Sequence, residues 1–135
     1  MIRGVFANEA FARWDEIAPV LQRVFDRFDI GITTDNLLQD ILTRDMQLWD
    51  CGSGYAITQI VIKPNFKVLT IPYIAGDGMD EWLGELFETV KAFGQSNGCK
   101  YLEGYGRKGW QRRLESFGFA PYAITVRCEI DGRKE

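Results

Sequence analysis

The 135-residue sequence predicts an α/β fold: a central mixed sheet with helices on both of its faces. Two observations predict this class. From Met46 to Ala75, strand-like runs are separated by short turns of glycine and proline, a pattern typical of an antiparallel meander. From Leu69 to Phe119, the order becomes strand, helix, strand and short helix. This spacing predicts two parallel strands joined by a right-handed crossover.

Length and composition favour a single domain over residues 1–135. No apolar run reaches the roughly 20 residues that a membrane-spanning helix needs. The three cysteines have no paired spacing, which favours buried reduced thiols and a cytoplasmic location. The chain has no histidine, which excludes serine and cysteine triads and most zinc sites, so we predict no metal site. A net charge of -3 argues against a nucleic-acid partner.

The N-terminal region predicts a short strand followed by helices. Residues Ile2 to Phe6 have a strand pattern, and apolar side chains recur every three or four positions from Asn8 to Phe28. Pro19 lacks an amide hydrogen, so we expect a kink there or a junction of two helices. A further helix carries the apolar residues from Leu37 to Leu42. Candidate caps for that helix are Thr33, Thr34 and Asp35.

The remaining elements follow from changes in periodicity. The meander strands are Met46–Cys51, Tyr55–Ile62 and Phe66–Ala75. A long helix from Asp80 to Ser96 places six apolar side chains on one stripe, and it ends at Asn97-Gly98. A strand then runs from Lys100 to Tyr105, and a short helix from Lys108 to Phe117. Alternating apolar and polar residues predict a last strand over Tyr122–Ile130.

This order of elements resembles the GNAT superfamily of acyl-CoA-dependent N-acyltransferases over nearly the whole chain. The sharpest match is the short helix that ends Leu114-Glu115-Ser116-Phe117-Gly118-Phe119, which is similar to the helix–Gly–Phe ending of that family. Pro72 also matches, because the fourth and fifth strands of the family separate to form the cofactor slot, and a proline removes a ladder donor there. The resemblance implies a GNAT-like fold with the order β-α-α-βββ-α-β-α-β.

The resemblance also implies where acyl-CoA would bind. In the family, backbone amides of a loop patterned Gln/Arg-x-x-Gly-x-Gly/Ala hold the pyrophosphate at a helix start. The corresponding loop residues here are Gly76, Asp77, Gly78 and Met79. Both glycines match, but the basic residue is missing, and Asp77, Asp80 and Glu81 would repel a diphosphate. Ordinary helix capping explains these carboxylates equally well. We predict no bound cofactor, with acetyl-CoA as the cofactor if the chain is an enzyme.

Candidate catalytic residues lie around the expected slot. The family often has a tyrosine acid at the position of Leu114 and an asparagine at that of Arg107, so its usual proton donor is missing. The remaining candidates for the general base and the general acid are Glu103, Tyr105 and Tyr73. The alternative is that Glu103 pairs with a nearby arginine while both tyrosines fill space.

A basic patch is the candidate partner-binding surface. It consists of Arg107, Lys108, Trp110, Arg112 and Arg113. Such a patch could grip a phosphate or an acidic partner, with the tryptophan as an anchor. It could equally be a solvated helix face whose buried side is Trp110 and Leu114. The acidic face of the long helix has the opposite charge, which favours docking with a protein partner or a second copy of the chain.

The missing site residues lead to the functional expectation. The chain resembles small internal virion proteins of short-tailed phages, which have a GNAT-like outline, a non-standard loop and an apolar residue in the tyrosine position. We therefore expect a non-catalytic domain that acts through protein contacts as an accessory or virion component of a phage, in the host cytoplasm or the virion. The alternative is a divergent N-acetyltransferase in which Glu103 deprotonates an amine and Tyr105 or Tyr73 reprotonates the leaving thiolate. A further alternative is a phage-encoded inhibitor of a host enzyme.

Overall fold

The computed structural model describes residues 1–106 and 108–131, with only the backbone of Lys108. These residues belong to two compact units, Met1–Tyr105 and Gly106–Glu135, each of which we describe by itself. The expectation of a single domain stays a prediction. No helix in these described ranges is both long and apolar enough to cross a membrane.

The first unit is built on one five-stranded mixed sheet whose spatial order follows the chain. Its strands are β1 (Arg3–Val5), β2 (Gln47–Asp50), β3 (Gly54–Ile62), β4 (Lys67–Gly76) and β5 (Cys99–Gly104). Strands β1 to β4 pair antiparallel, whereas β4 and β5 pair parallel. The structure therefore confirms the predicted meander and the parallel crossover unit.

Four helices belong to this unit, and they pack on both faces of the sheet. They are α1 (Ala7–Ala12), α2 (Trp14–Phe25), α3 (Thr34–Leu42) and α4 (Met79–Ser96). Thr33 caps α3 through a reciprocal pair of hydrogen bonds with Asn36, as a capping box does. The apolar stripe predicted for α4 is confirmed, since Trp82, Leu86 and Val90 are buried.

The first two helices join at Arg13, not at the expected Pro19, which lies exposed inside α2. Arg13 fixes the junction because its guanidinium donates hydrogen bonds to the Asp50 carboxylate at 3.2 Å and the Tyr55 hydroxyl at 3.1 Å. Proline removes the amide that would bond the carbonyl four residues earlier, and its exposed position leaves that carbonyl open to water. The helix therefore continues through Pro19.

The core has one layer on each side of the sheet. Helices α2 and α3 cover one face, where the cluster contains Val5, Ala10, Trp14, Ile17, Leu21, Phe25, Leu37, Ile41, Leu48, Tyr55, Ile57 and Ala75. Helix α4 covers the other face, where the rings of Trp49 and Phe93 meet edge to face at 5.3 Å. Gly94 of α4 lies against Leu69 of β4, so the helix approaches the sheet closely at that point.

The second unit contains helix α5 (Lys108–Glu115), and its described residues 116–131 form no further helix or strand. The strand predicted over Tyr122–Ile130 is wrong, because no described residue pairs with that segment. Alternating side chains predict which residues of a strand would be buried, but a strand also needs backbone hydrogen bonds to a neighbouring strand. Its apolar side chains are largely exposed: Tyr122, Ile124, Val126 and Ile130.

The three thiols are free but differ in exposure, so the expectation that all are buried is wrong for Cys128. Burial, followed by the charge of Asp50, raises the pKa of Cys51 to about 12. Because only the thiolate reacts, we expect Cys51 of the folded protein to resist a thiol reagent at pH 8, whereas exposed Cys128 reacts at once. Peptide mass spectrometry after timed labelling measures this. Equal labelling of both residues before unfolding would contradict it.

Candidate functional site

Strand β4 extends beyond the end of its parallel neighbour β5. The two strands stay in parallel register as far as Ile71 and Gly104, and β4 then continues to Gly76. Ile57 of β3 pairs with Tyr73 of β4, whereas Gln59 pairs with Thr70. Two residues of β4 therefore lie opposite one residue of β3, which makes a β-bulge at Pro72. Residues 72–76 of β4 consequently have an edge that no described strand pairs with. The separation of two strands that the resemblance implied stays a prediction, because β5 ends at the same residue as its pairing.

The loop Gly76-Asp77-Gly78 joins β4 to α4 in a tightly held conformation. Gly76 has a φ of 141° and Gly78 a φ of 63°, values that favour glycine. The amide of Asp77 donates to the carbonyl of Ser53 at 2.9 Å. The indole Nε1–H of Trp82 donates to the carbonyl of Asp77 at 2.8 Å. The Asp77 amide is therefore already engaged and is not offered to a ligand.

The charges around this loop are mainly acidic. Asp77 is exposed in the loop, and Asp80 and Glu81 lie in the first turn of α4. One cation comes from elsewhere: Nη1 of Arg23, in the last turn of α2, lies 3.2 Å from Oδ1 of Asp77. The sequence gives no sign of this ion pair, since 54 positions separate the two partners. Both side chains are half-exposed or more, so the ion pair is expected to contribute little to stability.

The structure places Tyr73 and Glu103 on the same face of the sheet. Tyr73 pairs with Ile57, Thr70 pairs with Gln59, and positions two apart on β3 face the same side. Glu103 of β5 is in register with Thr70 and so shares that face. The face is the one that α2 and α3 cover.

The environments of the tyrosines make them differ as acids. The ring of Tyr73 meets Phe25 edge to face at 5.0 Å, and burial, then the charge of Asp40 on α3, raises the pKa of its hydroxyl. Burial, then the charge of Glu103, raises the pKa of Tyr105, whose side chain is nevertheless exposed. Glu103 therefore acts electrostatically on Tyr105, and both hydroxyls hold their protons at neutral pH. The charge that acts on Tyr73 is that of Asp40 and not that of Glu103.

The predicted basic patch is only partly described. Arg107 and the side chain of Lys108 lie outside the described residues. The guanidinium of Arg113 lies 5.4 Å from the ring centroid of Trp110, within cation–π range. Arg112 and Arg113 are exposed on α5, whereas Trp110 is half-buried. Part of this patch is thus turned towards its own tryptophan.

The position of the usual tyrosine acid is also visible. Leu114 lies in the last turn of α5, and its carbonyl accepts from the amides of Phe117 at 2.9 Å and Phe119 at 3.3 Å. Gly118 between them has a φ of 89°. This confirms a helix end closed by glycine, but the leucine side chain has no proton to give. Within the described residues, no cluster of acidic and cysteine side chains could hold a metal ion.

Comparison with known proteins shows similarity in structure alone. No protein-family model matches the chain, and no curated protein matches it in sequence. An aminoglycoside acetyltransferase from an uncultured soil metagenomic sample superposes with a TM-score of 0.71 at 10% identity, over 96% of this chain and 95% of that chain. Ribosomal-protein-alanine N-acetyltransferase from Brucella melitensis superposes with a TM-score of 0.68 at 13% identity, over 96% and 98% of the two chains.

A third solved structure agrees with these two. Glucosamine-6-phosphate N-acetyltransferase from Arabidopsis thaliana has a TM-score of 0.64 at 12% identity, over 97% of this chain and 98% of that chain. Sequence identity this low shows the architecture and not the activity. The chain therefore has the GNAT fold of these acetyltransferases.

Proposed function

We propose that this GNAT-fold protein does not turn over acyl-CoA and acts through contacts with another protein. The observation that carries the proposal is the acidic start of α4. A helix N-terminus attracts an anion through its free amides and its dipole. Here Asp77, Asp80 and Glu81 surround that position, and the Asp77 amide is bound to Ser53. The residues present therefore do not fit a diphosphate.

The size of this effect decides between weak and tight binding. A charge at a helix end typically contributes about 0.3–1 kcal/mol to the free energy of binding an ion there. Two or three carboxylates near this helix start would therefore weaken diphosphate binding by roughly 1–3 kcal/mol. That corresponds to a loss of affinity of about 5- to 150-fold. Arg23 offsets part of this loss, because its charge lies beside that of Asp77. Leu114 adds a separate obstacle to turnover, since it stands where the family places its acid.

A divergent N-acetyltransferase is the second candidate, and one observation favours it. The edge of β4 from Pro72 to Gly76 is unpaired in the described sheet, as a slot for an extended ligand requires. In this candidate Glu103 and Tyr105 are the base and acid to test, with Tyr73 as the alternative acid. The phage accessory or virion role and the inhibitor role stay predictions, and the genes that flank the coding sequence would test both.

Calorimetric titration with acetyl-CoA tests the proposal. We expect no binding at micromolar concentrations by the natural chain, and a measurable gain in the variant Asp77→Gly, Asp80→Arg. Glu88→Arg is the control for the Asp80→Arg change, because each replaces an exposed carboxylate of α4 with a cation and Glu88 lies away from the loop. Micromolar binding by the natural chain would contradict the proposal.

Turnover separates the two candidates directly. Steady release of free thiol from acetyl-CoA with a panel of amines, abolished by Glu103→Gln, would support the enzyme. We expect no release above that of a blank reaction. Ultracentrifugation with and without charge reversal at Arg112 and Arg113 would show whether the contacting partner is a second copy of the chain.

A further inference from the structure

The outer edge of β5 is an open position of the described sheet. Strand β5 pairs with β4 on one side, and no strand within residues 1–106 or 108–131 pairs with its other side. The amides and carbonyls of β5 that do not bond β4 point to this outer edge. An edge of this kind can accept an extended segment as a further strand. It lies on the far side of β5 from the unpaired part of β4, so it is separate from the position considered above for acyl-CoA.

An apolar groove lies beside this edge, between α4 and β5. Its walls include Leu69, Val90 and Leu102, and its volume is about 270 Å³. Leu102 is in register with Leu69, whose side chain lies against Gly94 of α4, so both leucines lie on the face that α4 covers. A strand added to β5 would place every second side chain on this face. An apolar side chain at such a position fits the groove.

The opposite face of β5 carries a cation close to two aromatic rings. Tyr101 precedes Leu102 in the strand and therefore lies on the other side of the sheet. Tyr101 is 49% exposed, and its ring meets that of Phe66 edge to face at 5.3 Å. Nζ of Lys100 lies 5.5 Å from both ring centroids, and no described carboxylate forms an ion pair with it. A carboxylate on this face of an added strand would lie close to that ammonium group.

The charge at this end of the sheet favours an acidic partner. Residues 51–76 and 89–102 contain no aspartate or glutamate, although the net charge of the whole chain is -3. The lysines in these two ranges are Lys63, Lys67, Lys91 and Lys100. Lys67 and Lys100 begin neighbouring strands, since Lys67 pairs with Cys99, and Lys63 lies in the turn that leads into β4. A ligand that carries carboxylates therefore matches the sign of this surface.

Two features favour a peptide over a nucleic acid. The backbone of a polynucleotide has no amide groups and cannot continue the hydrogen-bond ladder of a sheet edge, whereas an extended peptide can. Single-stranded nucleic acid also stacks its bases on open aromatic faces. Here the rings of Phe66 and Tyr101 pack against each other and beneath Lys100.

We propose that β5 binds an extended acidic segment of a partner protein as a sixth strand of the sheet. Apolar side chains of the segment enter the groove beside Leu102, and carboxylates on the opposite face lie near Lys100. The inference rests on the proposed function, because it names the surface and the chemistry of a protein contact. It does not use the acidic loop at α4, so the acetyl-CoA titration tests the proposed function separately, and a failure of the probe below overturns this inference alone.

Fluorescence anisotropy of the full chain with the labelled peptide fluorescein-Val-Glu-Val-Glu-Val-Glu-amide tests the proposal. We expect saturable binding that Lys100→Glu weakens roughly fivefold or more. Arg27→Glu is the matched control, because it makes the same change of charge in an exposed residue that follows α2. The counterpart peptide with glutamine in place of glutamate is expected to bind more weakly, and unchanged amide spectra would show that both variants are folded.

A pair of N-methylated peptides tests whether the segment binds as a strand. Alternate residues of a strand direct their amides to opposite edges. Methylation of every valine amide or of every glutamate amide should therefore have unequal effects, because only one set bonds β5. We expect one methylated peptide to bind and the other to fail. Bound peptide should also slow hydrogen exchange at those amides of Cys99–Gly104 that do not bond β4.

Several results would overturn the proposal. Absence of saturable binding, equal binding of the glutamine peptide, unchanged affinity in Lys100→Glu, or equal effects of the two methylations would each do so. Equal binding of oligothymidylate at the same surface would point to a nucleic acid instead. Slow exchange at the outer amides of β5 in the free protein would mean that another part of the chain or a second copy already occupies this edge.

Discussion

Replacement of Gly76 by alanine is expected to lower the free energy of unfolding by about 2–6 kcal/mol. This is the sum of the cost of placing alanine in a backbone conformation that favours glycine and the cost of overpacking its contacts. Gly76 has a φ of 141°, which side chains of L residues avoid. A Cβ at this position would lie 2.5 Å from the carbonyl oxygen of Ser53 and collide with the backbone of Gly54. Neither neighbour can move aside without breaking the end of the β3–β4 ladder, where Gly54 pairs with Gly76.

Gly52→Ala is the control for this change. Gly52 has a φ of 85° in the nearby turn, but a Cβ there meets nothing within 4 Å. Gly52→Ala should therefore lower the free energy of unfolding only by the cost of a positive φ at alanine, about 1–2 kcal/mol. Urea unfolding followed by circular dichroism measures both variants, and the slope with denaturant checks that the folded states are comparable. Equal losses in the two variants would mean that the Gly54–Gly76 contact is not the source of the effect.

The elements that the sequence predicted well are those whose signal is local. The period of α4 places Trp82, Leu86 and Val90 on one stripe, and Gly98 ends the region with a φ of 75°. The helix junction does not lie at Pro19, since α2 runs through that exposed proline, whereas the real junction depends on bonds from Arg13 to the distant Asp50. A helix break of this kind leaves no local pattern to read. A kink at Pro19 stays a prediction.

The same distinction holds for the site. The glycines at 76 and 78 are visible as a motif, and both have a positive φ in the structure. Arg23 beside Asp77 is invisible in sequence, since α2 must pack on the sheet before the pair can form.

Trp82→Ala is expected to cost about 3–5 kcal/mol, the usual loss for a large aromatic residue removed from a core. Trp82 is 6% exposed, and its ring would lie 2.8 Å from a Cβ placed on Gly54. The side chain thus fills the space beside Gly54, and its Nε1–H also donates a hydrogen bond to the Asp77 carbonyl. Its loss should therefore loosen the loop at the start of α4 as well as the core.

The variant Trp82→Phe separates these two contributions, because it keeps most of the ring and removes the donor. We expect a smaller loss, with about 0.5–1.5 kcal/mol from the hydrogen bond. Hydrogen exchange at the Asp77 amide, which donates to Ser53, reports on the loop independently of global stability. Faster exchange in Trp82→Phe at nearly natural stability would show that the indole N–H fixes the loop. If exchange at Asp77 changes only in proportion to global unfolding, the indole contributes packing alone. The contact between Gly54 and Gly76 would then be what holds the loop.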